Sequence, residues 1–132
     1  MTRWKELTEA QWRERLTAEQ YHICRCRGTE RPGSGRYLLH HEEGTYTCAC
    51  CGAPLFHSIW KYDSGSGWPS FWEAIDGALA YHADTSHGMQ RVEIVCAVCS
   101  CHLGHVFEDG PAPTHKRYCT NSLSLNFLGT GP

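Results

Sequence analysis

The chain has 132 residues, nine cysteines, nine histidines and a formal net charge of −2. This length fits one domain, and the near-neutral charge, without a run of Lys or Arg, argues against nucleic acid as a partner. The polar start and the lack of a long apolar stretch argue against a signal peptide or a membrane partner, so we expect a cytoplasmic protein whose odd number of cysteines binds metal or performs thiol chemistry.

The first part of the chain carries the helix signals. Thr8 and Thr17 are each followed three residues later by a glutamine, and both pairs fit the capping box that starts a helix. They predict two short helices over 9–15 and 18–27. Gly28 is expected to end the second helix.

After Gly28, the sequence consists of short runs rich in β-branched and aromatic residues, separated by glycine-containing turn signals. This texture is typical of antiparallel β-structure, so we predict a mainly β fold behind two N-terminal helices. With no internal repeat or linker, residues 1–132 are expected to form one domain: a helical segment over 1–28 and a β core over 29–128. The predicted strands are 45–48, 55–58, 78–83, 89–96, 103–107 and 117–127.

Two C-x-x-C steps, Cys48/Cys51 and Cys96/Cys99, have the spacing at which two thiolates from one tight turn meet one tetrahedral ion. Together they predict a structural site for one Zn²⁺, because four thiolates leave no open coordination position. The site would clamp two distant hairpins. The alternative is two unrelated pairs of buried cysteines; a redox C-x-x-C would need a βαβ context, which is absent. Cys50 is expected to be a bystander on the opposite face of its turn.

The last predicted strand brings a cysteine to the border between a charged and an apolar stretch. Residues two apart on a strand share a face, so Arg117, Cys119 and Asn121 are expected on one side, followed there by apolar residues as far as Phe127. A nearby guanidinium favours thiolate and lowers the pKa of Cys119, which makes it a candidate nucleophile. The Asn121 amide can donate to a bound oxygen or orient a neighbour. The alternative is that Cys119 is an ordinary small core residue.

Two further segments supply groups for a pocket near this cysteine. His102 and His105 carry imidazoles suited to proton transfer, but they share one pocket only if Gly104 bends the strand between them. Trp68 and Phe71 follow a glycine-rich turn and are expected to form apolar walls that receive a methyl-sulfur group. Core packing is the alternative for these aromatic residues.

Taken in chain order, these motifs resemble the methionine-R-sulfoxide reductase B family. The resemblance implies a β architecture of two antiparallel sheets with N-terminal helices, sometimes called a β-tent. It also implies that Cys119 is the nucleophile, that His102, His105 and Asn121 line the catalytic site, and that Trp68 holds the substrate methyl group. The matching segments are Gly28 to Pro32, the two C-x-x-C steps, Gly67 to Phe71, Gly88-Met89, His102 to Phe107 and Arg117 to Ser122.

The implied reaction is reduction of the R epimer of methionine sulfoxide, mainly in proteins, which leaves Cys119 as a sulfenic acid. In a common family pattern the position of Ser66 holds the resolving cysteine, and serine cannot form that disulfide. Cys24 and Cys26, near the end of the second predicted helix, are the candidate resolving residues, whereas Cys101 is tied beside the zinc site. Direct reduction by an external thiol, such as thioredoxin or a small dithiol, is the other route.

A different class of function is a noncatalytic, zinc-held module that binds a ligand or partner, since a fold does not fix a function. Such a module needs the four zinc cysteines and an aromatic pocket. It has no use for Arg117, Cys119 and Asn121 on one strand beside two histidines. These residues therefore favour the reductase.

Overall fold

Two short capped helices lie near the start of the chain. The computed structural model describes residues 4–129. Helix α1 (Glu9–Arg15) and helix α2 (Ala18–Cys24) each begin with a complete capping box, at Thr8 and Thr17, as predicted. Within the described residues, no helix is long and apolar enough to cross a bilayer.

Helix α2 ends at Cys24, earlier than predicted. Arg27 adopts a left-handed conformation with φ 58°, and the Gly28 N–H donates to the His22 carbonyl at 3.0 Å. A Cβ atom on Gly28 would lie 2.6 Å from the His22 ring. Gly28 is therefore required by the close approach of the chain to the helix end, while Arg27 makes the left-handed turn.

Nine strands within the described residues form two antiparallel sheets. The smaller sheet has the order β2-β1-β9 and the larger has the order β3-β4-β8-β7-β6-β5. The predicted mainly β fold with two sheets is confirmed. The strands are Gly44–Cys48 (β1), Pro54–His57 (β2), Lys61–Tyr62 (β3), Ser70–Phe71 (β4), Leu79–Asp84 (β5), Arg91–Cys96 (β6), His102–Phe107 (β7), Arg117–Thr120 (β8) and Leu125–Gly129 (β9).

The predicted strand over 117–127 is wrong, because two strands in different sheets occupy this segment. Strand β8 ends at Thr120, the 3-10 helix Ser122–Ser124 follows, and β9 then enters the smaller sheet. The Glu30 carboxylate accepts the backbone N–H groups of Ser122 at 2.7 Å and Leu123 at 3.2 Å, which fixes the turn. Because Glu30 lies 92 residues before Ser122, the alternating local pattern does not reveal this break.

Strands β3 and β4 were not predicted, since two residues are too short to show an alternating pattern. Their pairing is nevertheless important, because β4 lies beside β8 with Ser70 opposite Cys119 and Phe71 opposite Tyr118. Successive residues on a strand point to opposite faces. Ser70 and Cys119 therefore share one face of the larger sheet, and Phe71 and Tyr118 share the other.

An aromatic cluster packs the two sheets together on that second face. The Phe71 ring stacks on Phe56 at 4.3 Å between centroids and meets Tyr46 edge-on at 5.2 Å. Phe56 also lies 5.9 Å from Tyr118. Removing a large apolar side chain from water contributes roughly 1.5–3 kcal/mol. This cluster holds β4 and β8 from behind and leaves Cys119 on the opposite face.

Candidate active site and metal centre

Cys119 lies in the middle of the larger sheet, between β4 and β7. Its direct cross-strand neighbours are Ser70 and His105. The sulfur lies 3.7 Å from the hydroxyl oxygen of Ser66, in the glycine-rich turn that precedes β4. The half-buried thiol lines a cavity of about 250 Å³ together with Trp68, His105 and other residues. This volume admits a small group such as a methionine side-chain end.

Burial raises the pKa of the Cys119 thiol above its ordinary value. The hydrogen bond with Ser66 and the charge of Arg117 act in the opposite direction but do not outweigh desolvation. The predicted lowering of this pKa is therefore wrong, because an unpaired charge is costly in a partly dry site. The resting form of Cys119 at neutral pH is the thiol.

The Arg117 guanidinium is held by a carboxylate that sequence reasoning missed. Its Nε and Nη2 atoms donate to the two carboxylate oxygens of Asp109 at 2.8 and 3.1 Å. The guanidinium also stacks over the Phe107 ring at 4.3 Å. The hydrogen bond from Arg117 lowers the pKa of Asp109, so this carboxyl group is ionised and neutralises part of the Arg117 charge near Cys119. Asp109 lies in the loop between β7 and β8, and Arg117 begins β8. Predicting a hairpin from these two strands would have brought the two residues together.

Strand β7 brings both predicted histidines to the same side. The pairing of β7 with β6 shifts register between Ile94 and Val95 of β6. The ring centroids of His102 and His105 lie 5.6 Å apart. A Cβ atom on Gly104 would lie 1.9 Å from the Cys119 carbonyl oxygen, so only glycine fits there. The strand is thus irregular next to Gly104, which was the condition for the two histidines to lie on one side.

Each histidine pairs with a buried carboxylate. His105 Nε2 lies 2.7 Å from Asp84, and His102 Nδ1 lies 2.6 Å from Glu93. Hydrogen bonds from Ser86 and His105 hold the pKa of Asp84 well below its usual range, so it is a carboxylate at neutral pH. Burial lowers the pKa of His102, partly opposed by Glu93. The sequence signal for this pair was Glu93 itself, because a charged residue within the apolar run of strand β6 indicates a buried partner.

The two histidines occupy different positions relative to Cys119. His105 lines the cavity of Cys119, whereas His102 is buried behind it and lines a neighbouring cavity. Arg27 links the two carboxylates, with its Nη2 atom 3.0 Å from Glu93 and 3.9 Å from Asp84. His105 can therefore contact a molecule bound at Cys119. His102 packs against the His105 ring.

The side chain of Asn121 is buried and bonded to the backbone on both sides. Its Oδ1 atom accepts the Glu30 N–H at 3.0 Å, and its Nδ2 atom donates to the Leu103 carbonyl at 3.3 Å. It also lines the cavity of Cys119. Of the two roles expected for this amide, orienting the neighbouring segments has direct contacts to support it.

Trp68 lines the cavity, but Phe71 does not. The indole Nε1–H of Trp68 donates to the Glu30 carbonyl at 3.0 Å, which fixes the ring beside Cys119. Phe71 is fully buried in the aromatic cluster between the sheets, so its predicted role as a pocket wall is wrong. The second aromatic wall is Phe107, which sequence reasoning missed because it lies far along the chain.

Four cysteines converge where the turns after β1 and β6 meet. The Sγ atoms of Cys48 and Cys99 lie 3.5 Å apart, those of Cys51 and Cys96 lie 3.6 Å apart, and all four lie within 4.8 Å of one another. Tetrahedral zinc with bonds of ~2.3 Å separates its sulfur ligands by about 3.8 Å. The four thiols therefore fit one metal ion.

The ionisation of these thiols is interdependent. Hydrogen bonds from neighbouring thiols, Cys101 first, lower the pKa values of Cys48 and Cys99, while the hydrogen bond to Cys48 raises those of Cys51 and Cys96. Four adjacent thiolates repel one another unless a cation lies among them. The donor set has the chemistry of a soft-metal site.

The remaining cysteines near this centre are not equivalent. Cys50 lies outside the four-cysteine group, as predicted, but it is buried and groups with Cys24 and Cys101. Cys50 is therefore not a ligand of the four-cysteine group, but it does belong to a second cluster of thiols. Cys26 is exposed in the turn after α2. Of the two candidate resolving residues, Cys24 is packed in the interior and Cys26 is accessible.

A half-buried thiol beside a histidine, together with four cysteines that could hold a metal ion between two β-sheets, defines a mainly β protein with a candidate thiol active site. The SelR domain model matches residues 16–129. The chain belongs to the SelR domain family.

Several proteins named peptide methionine sulfoxide reductase MsrB are similar to the chain. One from Saccharophagus degradans is 60% identical over 121 residues, covering 91% of this chain and 90% of that protein. One from Thioalkalivibrio sulfidiphilus is 59% identical over 123 residues, covering 92% and 90%. One from Methanosarcina barkeri is 56% identical over 123 residues, covering 92% and 87%.

Proposed function

We propose that residues 1–132 form a single reductase domain that converts the R epimer of methionine sulfoxide in peptides and proteins to methionine. The observation that carries this proposal is the position of Cys119 in a cavity bordered by Trp68 and Phe107 and lined by His105. The relatives' shared name, peptide methionine sulfoxide reductase, supports it. A binding module would not need these groups around one thiol.

The aromatic walls bind the methyl-sulfur end of the substrate. Trp68 is fixed by its hydrogen bond to Glu30, and Phe107 is covered by the Arg117 guanidinium. Thioethers and methyl groups pack favourably against aromatic rings. Held between these rings, the substrate sulfur faces the Cys119 sulfur.

In the chemical step, the Cys119 sulfur attacks the sulfoxide sulfur and gives up its proton, because the resting group is the thiol. The S–S bond formed in this attack then breaks, with its electron pair going to the methionine sulfur, as the substrate S–O bond breaks and a new S–O bond forms on Cys119. The substrate sulfur gains two electrons and Cys119 loses two, so the products are methionine and a Cys119 sulfenic acid. His105 carries the proton towards the sulfoxide oxygen, and Asp84 orients its ring through the 2.7 Å contact.

Arg117, Asn121 and His102 complete the site. Arg117 supplies positive charge near the reacting sulfur, which favours the thiolate as it forms. Asn121 holds the segments that carry Glu30 and Leu103. His102 acts as a positioning residue, because it lies behind His105 with its own carboxylate partner.

The sulfenic acid is then reduced by thiols, which become a disulfide as water leaves. The Ser66 hydroxyl lies 3.7 Å from the Cys119 sulfur, and serine cannot form a disulfide. Cys26 is exposed after the end of α2, Cys24 is buried, and neither residue lines the cavity of Cys119, so an internal disulfide would require the chain to rearrange. We therefore favour thioredoxin or another external dithiol as the reductant. A mass spectrum after one turnover separates the routes, since an internal disulfide to Cys24 or Cys26 would contradict external reduction.

One structural Zn²⁺ in the group formed by Cys48, Cys51, Cys96 and Cys99 would fix the fold. These cysteines lie in the turns of the β1–β2 and β6–β7 hairpins, which belong to different sheets. Bound there, the ion would compensate the charge of the four thiolates and hold the two turns together, and four thiolates would leave no open position for substrate. Strand β7, which carries His105, begins directly after this centre.

The deciding experiment measures turnover of the separated R and S epimers of a methionine sulfoxide peptide by the zinc-loaded protein, with dithiothreitol as reductant. We expect turnover of the R epimer, which Cys119→Ser abolishes. Cys26→Ser is the matched control and retains at least half of the activity with this external reductant. If the freshly reduced wild-type protein is inactive, or if Cys119→Ser remains active, the proposal is wrong and the binding module gains support.

A further inference from the structure

A second group of sulfurs lies next to the four-cysteine centre. The Sγ atoms of Cys24, Cys50 and Cys101 all lie within 4.8 Å of one another. The three residues come from separate elements, namely helix α2, the turn after β1 and the residue before β7. All three are buried, and all are free thiols. The fold thus brings three soft donors to one point.

The contacts of these thiols with oxygen atoms are long. The Cys24 sulfur lies 3.8 Å from both the Leu123 carbonyl and the Ser124 hydroxyl, and the Cys101 sulfur lies 3.5 Å from the carbonyl of His102. The Ser124 hydroxyl donates to the His102 carbonyl at 2.8 Å, and its oxygen is the acceptor in the long contact with Cys24. Cys50 and Cys101 also contact the thiols of Cys48 and Cys99, so the second group adjoins the four-cysteine centre.

We propose that Cys24, Cys50 and Cys101 bind one Cu(I) ion, separately from the zinc centre. Thiolates select soft ions such as Cu(I). Cu(I) accepts three-coordinate geometry, whereas Zn²⁺ prefers four ligands and already has a complete set in the neighbouring group. Each thiol releases its proton on binding, and no electron is transferred.

The surroundings provide charge compensation and access. A surface cavity of about 390 Å³ is lined by Cys24, by Arg25 and by the ion pair of Arg27 with Glu93. The Arg25 guanidinium donates to the Cys99 carbonyl at 2.9 Å, which fixes a positive charge close to both cysteine groups. Positive groups reduce the cost of burying the negative charge of a copper–thiolate centre.

The test uses the full, reduced, zinc-loaded chain without oxygen, with one equivalent of Cu(I) supplied from the competing chelator bicinchoninate. Native mass spectrometry should show one zinc and one copper per chain. Cys24→Ser and Cys50→Ala, on separate elements, should each weaken copper binding at least tenfold while zinc is retained. Cys26→Ser is the matched control, because Cys26 is exposed and lies two residues from Cys24. This variant should bind copper like the wild type.

Three results would overturn the proposal: no copper is bound, copper binds only by displacing zinc, or both variants bind copper as the wild type does. Zinc content and the far-ultraviolet circular dichroism spectrum of each variant verify its fold, and Cys50→Ala decides alone if Cys24→Ser fails to fold. Cys119→Ser should lose reductase activity and keep copper binding. The two proposals can therefore fail independently.

Discussion

The Ser66 hydroxyl oxygen lies 3.7 Å from the Cys119 sulfur, although the two residues are 53 positions apart in the sequence. The turn that carries Ser66 precedes β4, and β4 pairs with the strand of Cys119. This contact lowers the pKa of Cys119 and places a non-oxidisable side chain next to the site of sulfenic acid formation. The redox chemistry of the chain therefore depends on the residue at position 66.

We expect Ser66→Cys to convert the enzyme to one with an internal disulfide. The new sulfur would replace an oxygen already near the Cys119 sulfur, and a thiol there can condense with the sulfenic acid. After one turnover without reductant, the mass of the variant should fall by two hydrogen atoms and peptide mapping should link positions 66 and 119. The double variant Ser66→Cys/Cys119→Ser is the control. A lasting sulfenic acid in Ser66→Cys would contradict this expectation.

The pH dependence of Cys119 alkylation should follow its raised pKa. A thiol reacts as the thiolate, so the rate should increase with pH through a midpoint above the ordinary value of 9.0. Ser66→Ala removes an interaction that lowers the pKa and should move the midpoint higher. Asp109→Asn removes a negative charge that raises it and should move the midpoint lower. The measurement is iodoacetamide labelling against pH, followed by mass spectrometry, and a wild-type midpoint below 9.0 would refute the burial argument.

Phe71 and Phe107 should have separable roles. Phe71→Ala leaves a cavity in the aromatic cluster and should lower the free energy of unfolding by about 3–5 kcal/mol. Phe107→Ala removes a wall of the substrate cavity and should raise KM severalfold, with a smaller loss of stability. Urea unfolding and steady-state kinetics at a temperature where both variants are folded measure the two effects. The assignment is wrong if Phe71→Ala raises KM more than Phe107→Ala does.

Loss of zinc should affect folding before chemistry. Structural zinc in small domains has an apparent binding free energy of ~10–16 kcal/mol, so Cys96→Ser or a strong chelator should greatly lower the melting temperature. Cys26→Ser is the matched control, because that thiol is exposed. Metal content and thermal unfolding are measured together. An unchanged melting curve after complete zinc removal would show that the four-cysteine centre does not stabilise the fold.

Asp84→Asn tests the positioning of His105. An amide in place of the carboxylate removes the charge that orients the imidazole at 2.7 Å, so we expect kcat to fall roughly tenfold or more with little change in KM. Ser86→Ala is the comparison, since the Ser86 hydroxyl donates at 2.6 Å to the Asp84 carboxylate oxygen that does not contact His105. Equal losses of kcat in both variants would favour a merely structural role for Asp84.

Short-range patterns in the sequence determined where the two helices begin and which four cysteines form one group. The capping boxes at Thr8 and Thr17 start helices because a side chain and a backbone only three residues away satisfy each other. The C-x-x-C steps likewise predict the ligand group at Cys48, Cys51, Cys96 and Cys99, since each pair is set by one tight turn. These features need no knowledge of distant contacts.

The tertiary structure alone decided the environment of the thiol. Desolvation of Cys119 outweighs the neighbouring Arg117, and the strength of desolvation depends on every element packed around the sulfur. The Glu30 carboxylate breaks the apparent strand after Thr120, and strand pairing sends Phe71 to the core while Phe107 reaches the cavity. Burial and long-range pairing are sums over contacts distant in sequence, so a local pattern cannot determine them.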